Sequence, residues 1–164
     1  MIFHKEKAAA CAINEFQIIV AGGRIQGGNL TDIVEIYDLR ENSWKVFSVG
    51  ISSPRQHMNI VSAQKDRAII IGGQDSSGND IQTVEEIDFL KVQNSVVTLD
   101  KMKEARSCPN AFLVNDSIYV MPRHSNGSGE KYLLKENRWK EFQPKSLGSS
   151  KQSVNSGPAA LLYE

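Results

Sequence analysis

The stretch that most resembles a phosphate cradle is Gly22-Gly23-Arg24-Ile25-Gln26-Gly27-Gly28. A phosphate loop needs a helix after its glycines, so that free N–H groups face the anion, and a Lys to neutralise it; neither follows here. His4, His57 and His124 have no mutual spacing of a metal-binding kind. His57 stands two places after Arg55 and opens an extended run, which suits a surface or internally paired histidine. Asp75, Ser77, Asn79 and Asp80 offer oxygens to a calcium ion, but the loop lacks the Gly and Glu of the twelve-residue pattern. Gly127-Ser128-Gly129 lies in a polar loop, not at a strand-to-helix turn that would expose a nucleophile. Glu85 and Glu86 fall in an extended run, where neighbours point to opposite faces, so they do not form an acid–base pair. Cys11 and Cys108 lie 97 positions apart (108 − 11), which is no metal or redox spacing. Both read as small buried hydrophobes in a reducing compartment. These residues lead to the expectation of no catalytic group, no metal and no cofactor: a chain that is not an enzyme.

The elements that carry these residues repeat. Ile19-Val20-Ala21-Gly22-Gly23 returns as Ile69-Ile70-Ile71-Gly72-Gly73, a shift of 50 (72 − 22). It returns again, eroded, as Ile118-Tyr119-Val120-Met121-Pro122, a shift of 49 (121 − 72). A period near fifty with a strand running into Gly-Gly points to a propeller blade. The first unit holds four short extended runs, approximately 8–13, 16–21, 33–39 and 44–47, rich in Ile, Val, Tyr and Phe. Short polar turns, Asn14-Glu15, Lys65-Asp66 and Asn115-Asp116, join the first two runs of each unit as hairpins. Tyr37 and Trp44, like Tyr132 and Trp139, are seven residues apart (44 − 37, 139 − 132). In the second unit Ile87 stands for the Tyr, and Val96-Val97 for the Trp run. A four-stranded sheet alone leaves two apolar faces wet, and stacked blades bury them with rings such as Trp44. The Gly pairs are expected to take positive φ and to admit a second chain segment at close range.

Gly22, Gly23, Tyr37 and Trp44 of the first unit, Gly72 and Gly73 of the second, and Tyr132 and Trp139 of the third together resemble the kelch repeat. The resemblance runs from about residue 7 to residue 164, and Arg55 and Arg106 match the family's usual Arg ahead of the first strand. It implies an all-β fold: a kelch-type β-propeller segment of three four-stranded antiparallel blades plus an extra C-terminal strand, an incomplete or open propeller. The blades are expected at about 7–48, 55–99 and 106–143, with a fourth starting at about 158–164, all in a single kelch-repeat domain, 1–164. Propellers typically close with four to eight blades. Three blades and a fragment therefore imply a truncated array, a ring completed by self-association, or atypical capping ends.

The resemblance also implies a protein–protein interaction module, of the substrate-recognition or cytoskeletal-adaptor kind. In the family, two sets of polar loops share the partner-binding face; here they are 24–32, 74–83 and 123–131, and 48–55, 100–106 and 143–158. The partner-binding candidates are Arg24, Arg55, His57, Gln74, Arg106, Arg123 and His124, since Arg offers carboxylates a planar donor fork. The recurrence of Arg55 and Arg106 at one place in the repeat also suits a structural pairing with a neighbouring blade. The alternatives are a carbohydrate-active or sialic-acid-isomerising kelch enzyme, or a degenerate fragment without independent activity. The copper site of a related oxidase needs Tyr and His ligands and a Cys joined to a Tyr, which Cys108 and the tyrosines here do not reproduce.

Charge narrows the partners. Lys plus Arg is 19 and Asp plus Glu is 19, so no basic field draws nucleic acid or an anionic membrane surface. The partner is expected to be a protein. No run approaches the ~18 apolar residues of a membrane span, and residues 1–7 lack the apolar run of a signal peptide. A cytoplasmic protein is expected, in which the sequons at Asn29, Asn115 and Asn126 are fortuitous.

Overall fold

The computed structural model describes residues 1–63, 66–89, 95–122 and 127–144. Among these residues there are twelve strands and no helix. The first sheet is β1 (Ala9–Ala12), β2 (Gln17–Ala21), β3 (Val34–Asp38) and β4 (Ser43–Val46). The second is β5 (Asn59–Ser62), β6 (Arg67–Ile71), β7 (Val84–Asp88) and β8 (Ser95–Leu99). The third is β9 (Ala111–Val114), β10 (Ser117–Val120), β11 (Gly129–Leu133) and β12 (Arg138–Phe142). In each sheet the strands pair antiparallel in chain order. Left-handed turn residues close several of the hairpins: Asn42 (φ 48°), Asp66 (56°), Asn115 (52°) and Asn137 (50°). Asn and Asp tolerate that region better than other residues with a Cβ.

The sheets are stacked blades. Their first strands lie side by side, β1 against β5 and β5 against β9. One core lies between the first two sheets, with Ile19, Ala21 and Val34 meeting Ile60, Ala68, Ile70 and Ile87. A second lies between the second and third, with Val61, Ile69, Ile71 and Val84 meeting Ala111, Ile118, Val120 and Tyr132. Ile69, Ile70 and Ile71 point alternately into the two cores, and all three are fully buried. That is why β6 shows no polar alternation. Burying each such side chain contributes roughly 1.5–3 kcal/mol.

Aromatic pairs cross the outer strands. Tyr37 lies opposite Trp44, and Tyr132 opposite Trp139, each with ring centroids 5.0 Å apart. Ile87 lies opposite Val96 at the same place in the second sheet. The Tyr132–Trp139 face packs against the second sheet. The equivalent Tyr37–Trp44 face points away from it, so Trp44 is half-exposed rather than sealed between blades. At the other end of the stack Phe112 and Val114, on the outer face of β9, are also exposed.

The third repeat is shifted by one residue from its sequence alignment. Strand pairing sets Ile70 opposite Glu85 and Val120 opposite Glu130. Val120 is therefore level with Ile70, and Pro122 with Gly72, a shift of 50. The first hairpin is also one residue shorter: four residues separate the paired Leu113 and Ile118, against five between Ser62 and Ala68. The expected start of a fourth blade at 158–164 lies outside the described residues.

Candidate functional site

A buried ion pair recurs in every blade. The second residue of the third strand is Glu35, Glu85 or Glu130, and each is almost wholly buried. Its partner comes from the segment leading into the same blade: Lys5 for Glu35 at 3.1 Å, Arg55 for Glu85, and Arg106 for Glu130 at 3.5 Å. The carboxylates also accept backbone N–H groups from these segments. Glu35 accepts from Ile2 and Phe3, Glu85 from Ser52, and Glu130 from Lys103 and Glu104. Burial pulls the Lys5 ammonium below its ordinary pKa, against the opposing pull of Glu35. Burial lowers Arg55 in the same way, opposed by Glu85. Buried charges persist only when paired and hydrogen-bonded, and these are.

Each leading segment also ties its blade to the one before. The Gly23 N–H donates to the Arg55 carbonyl, and the Gly73 N–H to the Arg106 carbonyl, both at 2.8 Å. Gly22 (φ 58°) and Gly72 (φ 62°) have the left-handed backbone that this close approach requires. A Cβ on Gly22 would sit 2.7 Å from the Arg55 carbonyl oxygen, and one on Gly72 would collide with that of Arg106.

Two of the candidate residues are thus committed internally. The Arg55 guanidinium is fully buried and also donates to Ser52 Oγ (3.1 Å) and the Gly72 carbonyl (3.4 Å). Arg106 donates to Glu104 (2.8 Å) and to the carbonyls of Met121 (3.3 Å) and Ser128 (3.4 Å). Their role in the structure is to join blades. Arg123 and His124 lie outside the described residues.

Arg24 and Gln74 occupy equivalent places at the base of two long loops. Arg24 exchanges backbone hydrogen bonds with Glu6 (2.7 and 2.8 Å), as Gln74 does with Gln56 (2.8 and 3.1 Å). Bridges to Leu30 and Asp80 close the two loops. Asp75 braces the second loop by accepting from the N–H groups of Ser77 and Asn79, both at 2.8 Å. Those bonds, led by the one from Asn79, hold the Asp75 carboxyl below its ordinary pKa. Among the described residues no group of three or more His, Cys, Asp or Glu is placed to hold a metal ion. Arg24 makes no ion pair among the described residues, and its buried Nε has no hydrogen-bond partner. Arg24 lines a cavity of about 470 Å³ together with His4, Glu6 and Gln26.

His57 is brought beside Cys108. Lys7, His57 and Cys108 hold equivalent places ahead of the three first strands, all with left-handed backbone (φ 55°, 55° and 48°). The His57 N–H donates to the Lys7 carbonyl (3.1 Å), and the Cys108 N–H to the His57 carbonyl (2.6 Å). Cys108 Sγ lies 3.3 Å from His57 Nδ1, and the thiol is exposed. Sequence reading passed over this pair, as it did Lys5 and the burial and pairing of the three glutamates. The glutamates carried a signal, the recurrence of Val34-Glu35 as Val84-Glu85. The Cys–His contact carried none, because 51 residues separate its members.

Three antiparallel quartets stacked through neighbouring inner strands define an open β-propeller segment. The Kelch motif model matches residues 8–48, which is the first blade. Over those residues the chain is similar to the kelch repeat. No curated protein matches it.

Proposed function

We propose that the chain is a protein-interaction module, an adaptor that holds a protein partner against the loops at 24–32 and 74–83. The observation that carries this reading is the contrast among its arginines. Arg55 and Arg106 spend their donors inside the stack, whereas Arg24 has no acidic partner among the described residues and lines an open cavity. A rigid scaffold that presents polar loops is a common seat of recognition. Arg24 would meet a carboxylate of the partner, which makes an acidic segment the best-matched ligand. Substrate recognition and cytoskeletal attachment both fit such a module. A cytoplasmic setting accords with two free cysteines, and among the described residues no helix is long and apolar enough to cross a membrane.

A second copy would complete the ring, setting the exposed Phe112 and Val114 of one chain on the Tyr37–Trp44 face of the other. The native mass in solution tests this directly: a dimer supports it and a monomer removes it. The interaction reading is tested by co-purification and titration with wild type and Arg24→Glu. The expected result is saturable binding weakened roughly thirtyfold in the variant, the scale of an interface hot spot. Equal binding by both would remove Arg24 from the site. A saturable glycan in place of any protein partner would favour the carbohydrate-active reading.

A further inference from the structure

We propose that Cys108 and His57 form a reactive thiol–imidazole pair, which takes up small disulfides as mixed disulfides on Cys108. Two observations carry this. The thiol is exposed, with its sulfur 3.3 Å from the imidazole Nδ1, within reach for proton transfer. A cavity of about 360 Å³ opens beside it, lined by Arg106, Cys108, Asn110 and Met121 among others.

The exchange balances without another reagent. The Cys108 thiol gives its proton to His57 Nδ1, in the tautomer that leaves that nitrogen free. The thiolate attacks one sulfur of the ligand, a new S–S bond forms and the old one breaks. The departing thiolate takes the proton back from the imidazolium and leaves as a thiol, so the ligand is the oxidant. Cys11 is a poor competitor, since burial pushes its thiol up to about 12.

The test uses the full chain carrying Cys11→Ser, with oxidised glutathione and cystamine as probes at pH 7 and mass spectrometry as readout. Cystamine bears amines in place of carboxylates. Folded protein should react with oxidised glutathione about tenfold faster than the same chain in urea, and His57→Gln should lose that gain. Cystamine should show a similar gain on folding. His57→Asn, which better accepts the left-handed backbone, serves if His57→Gln does not fold. A folded rate no faster than the unfolded one, or a full rate in a folded His57 variant, would overturn the pair.

Discussion

The backbone N–H of Gly23 donates to the carbonyl oxygen of Arg55 across the boundary between the first two blades. On the other side of that peptide, the Arg55 side chain reaches Glu85 and the Gly72 carbonyl in the second blade. One residue thus grips two sheets, by its main chain behind and its side chain ahead. Arg106 repeats the arrangement between the second and third blades, with Gly73 behind and Glu130 ahead. The Gly-Gly pair and the Arg that mark the repeat are therefore two halves of one joint.

Breaking the joint from one side should be severe. Arg55→Met leaves Glu85 buried and uncompensated, with a cost of about 3–5 kcal/mol in urea unfolding. Arg55→Met with Glu85→Leu should recover more than half of that loss, because no lone charge remains. A single-variant cost below about 1 kcal/mol would show that the pair is not sealed from water.

Gly72→Val tests the other half of the joint. The substitution puts a branched side chain at φ 62° against the Arg106 carbonyl. The expected loss exceeds about 2 kcal/mol by thermal or urea unfolding. Wild-type melting would mean that the two chain segments do not approach here.

The aromatic pairs should be unequal. Trp139 packs against the core between the second and third blades and donates its Nε1–H to the Asp100 carbonyl at 2.7 Å. Trp44 has no described blade on its side. Trp139→Ala should therefore cost at least about 1 kcal/mol more than Trp44→Ala, measured under one set of unfolding conditions. The reverse order would place a further layer over Trp44, such as a second copy.

Acid should erase one local contribution. The Arg40 guanidinium, then the Gln17 amide and the N–H groups of Arg40 and Glu41, hold the Asp38 carboxyl below its ordinary value of 3.8. A depressed carboxylate stabilises the fold above the unfolded value, and the contribution disappears as pH falls through the folded one. The stability gap between wild type and Asp38→Asn should be constant from pH 7 to about 5 and close below about 4. A gap independent of pH would show that Asp38 does not act through its charge.

Much of the blade was legible because its signals are local. Ile69-Ile70-Ile71 before Gly72-Gly73 announces a strand covered on both faces that ends where another segment crosses it. Tyr37 and Trp44, whose seven-residue spacing recurs in Tyr132 and Trp139, lie directly opposite each other. The third repeat was misplaced by one residue because Met121-Pro122 holds no glycine to fix the register. The site was less legible. Alternation correctly sends Glu85 and Glu86 to opposite faces, but it does not reveal that Glu85 is sealed by Ser52 and Arg55, about thirty residues upstream. His57 and Cys108 meet only because successive leading segments hydrogen-bond around the stack.

The central claim is that the second blade is covered on both faces by its neighbours. Amide hydrogen exchange, resolved by residue, tests it most directly. The amides of Ile69, Ile70 and Ile71 should be the slowest in the chain, opening only with global unfolding, while those of the outer strands Ser95–Leu99 and Arg138–Phe142 exchange far sooner. Exchange of Ile69–Ile71 as fast as that of the outer strands would contradict the stacked-blade arrangement.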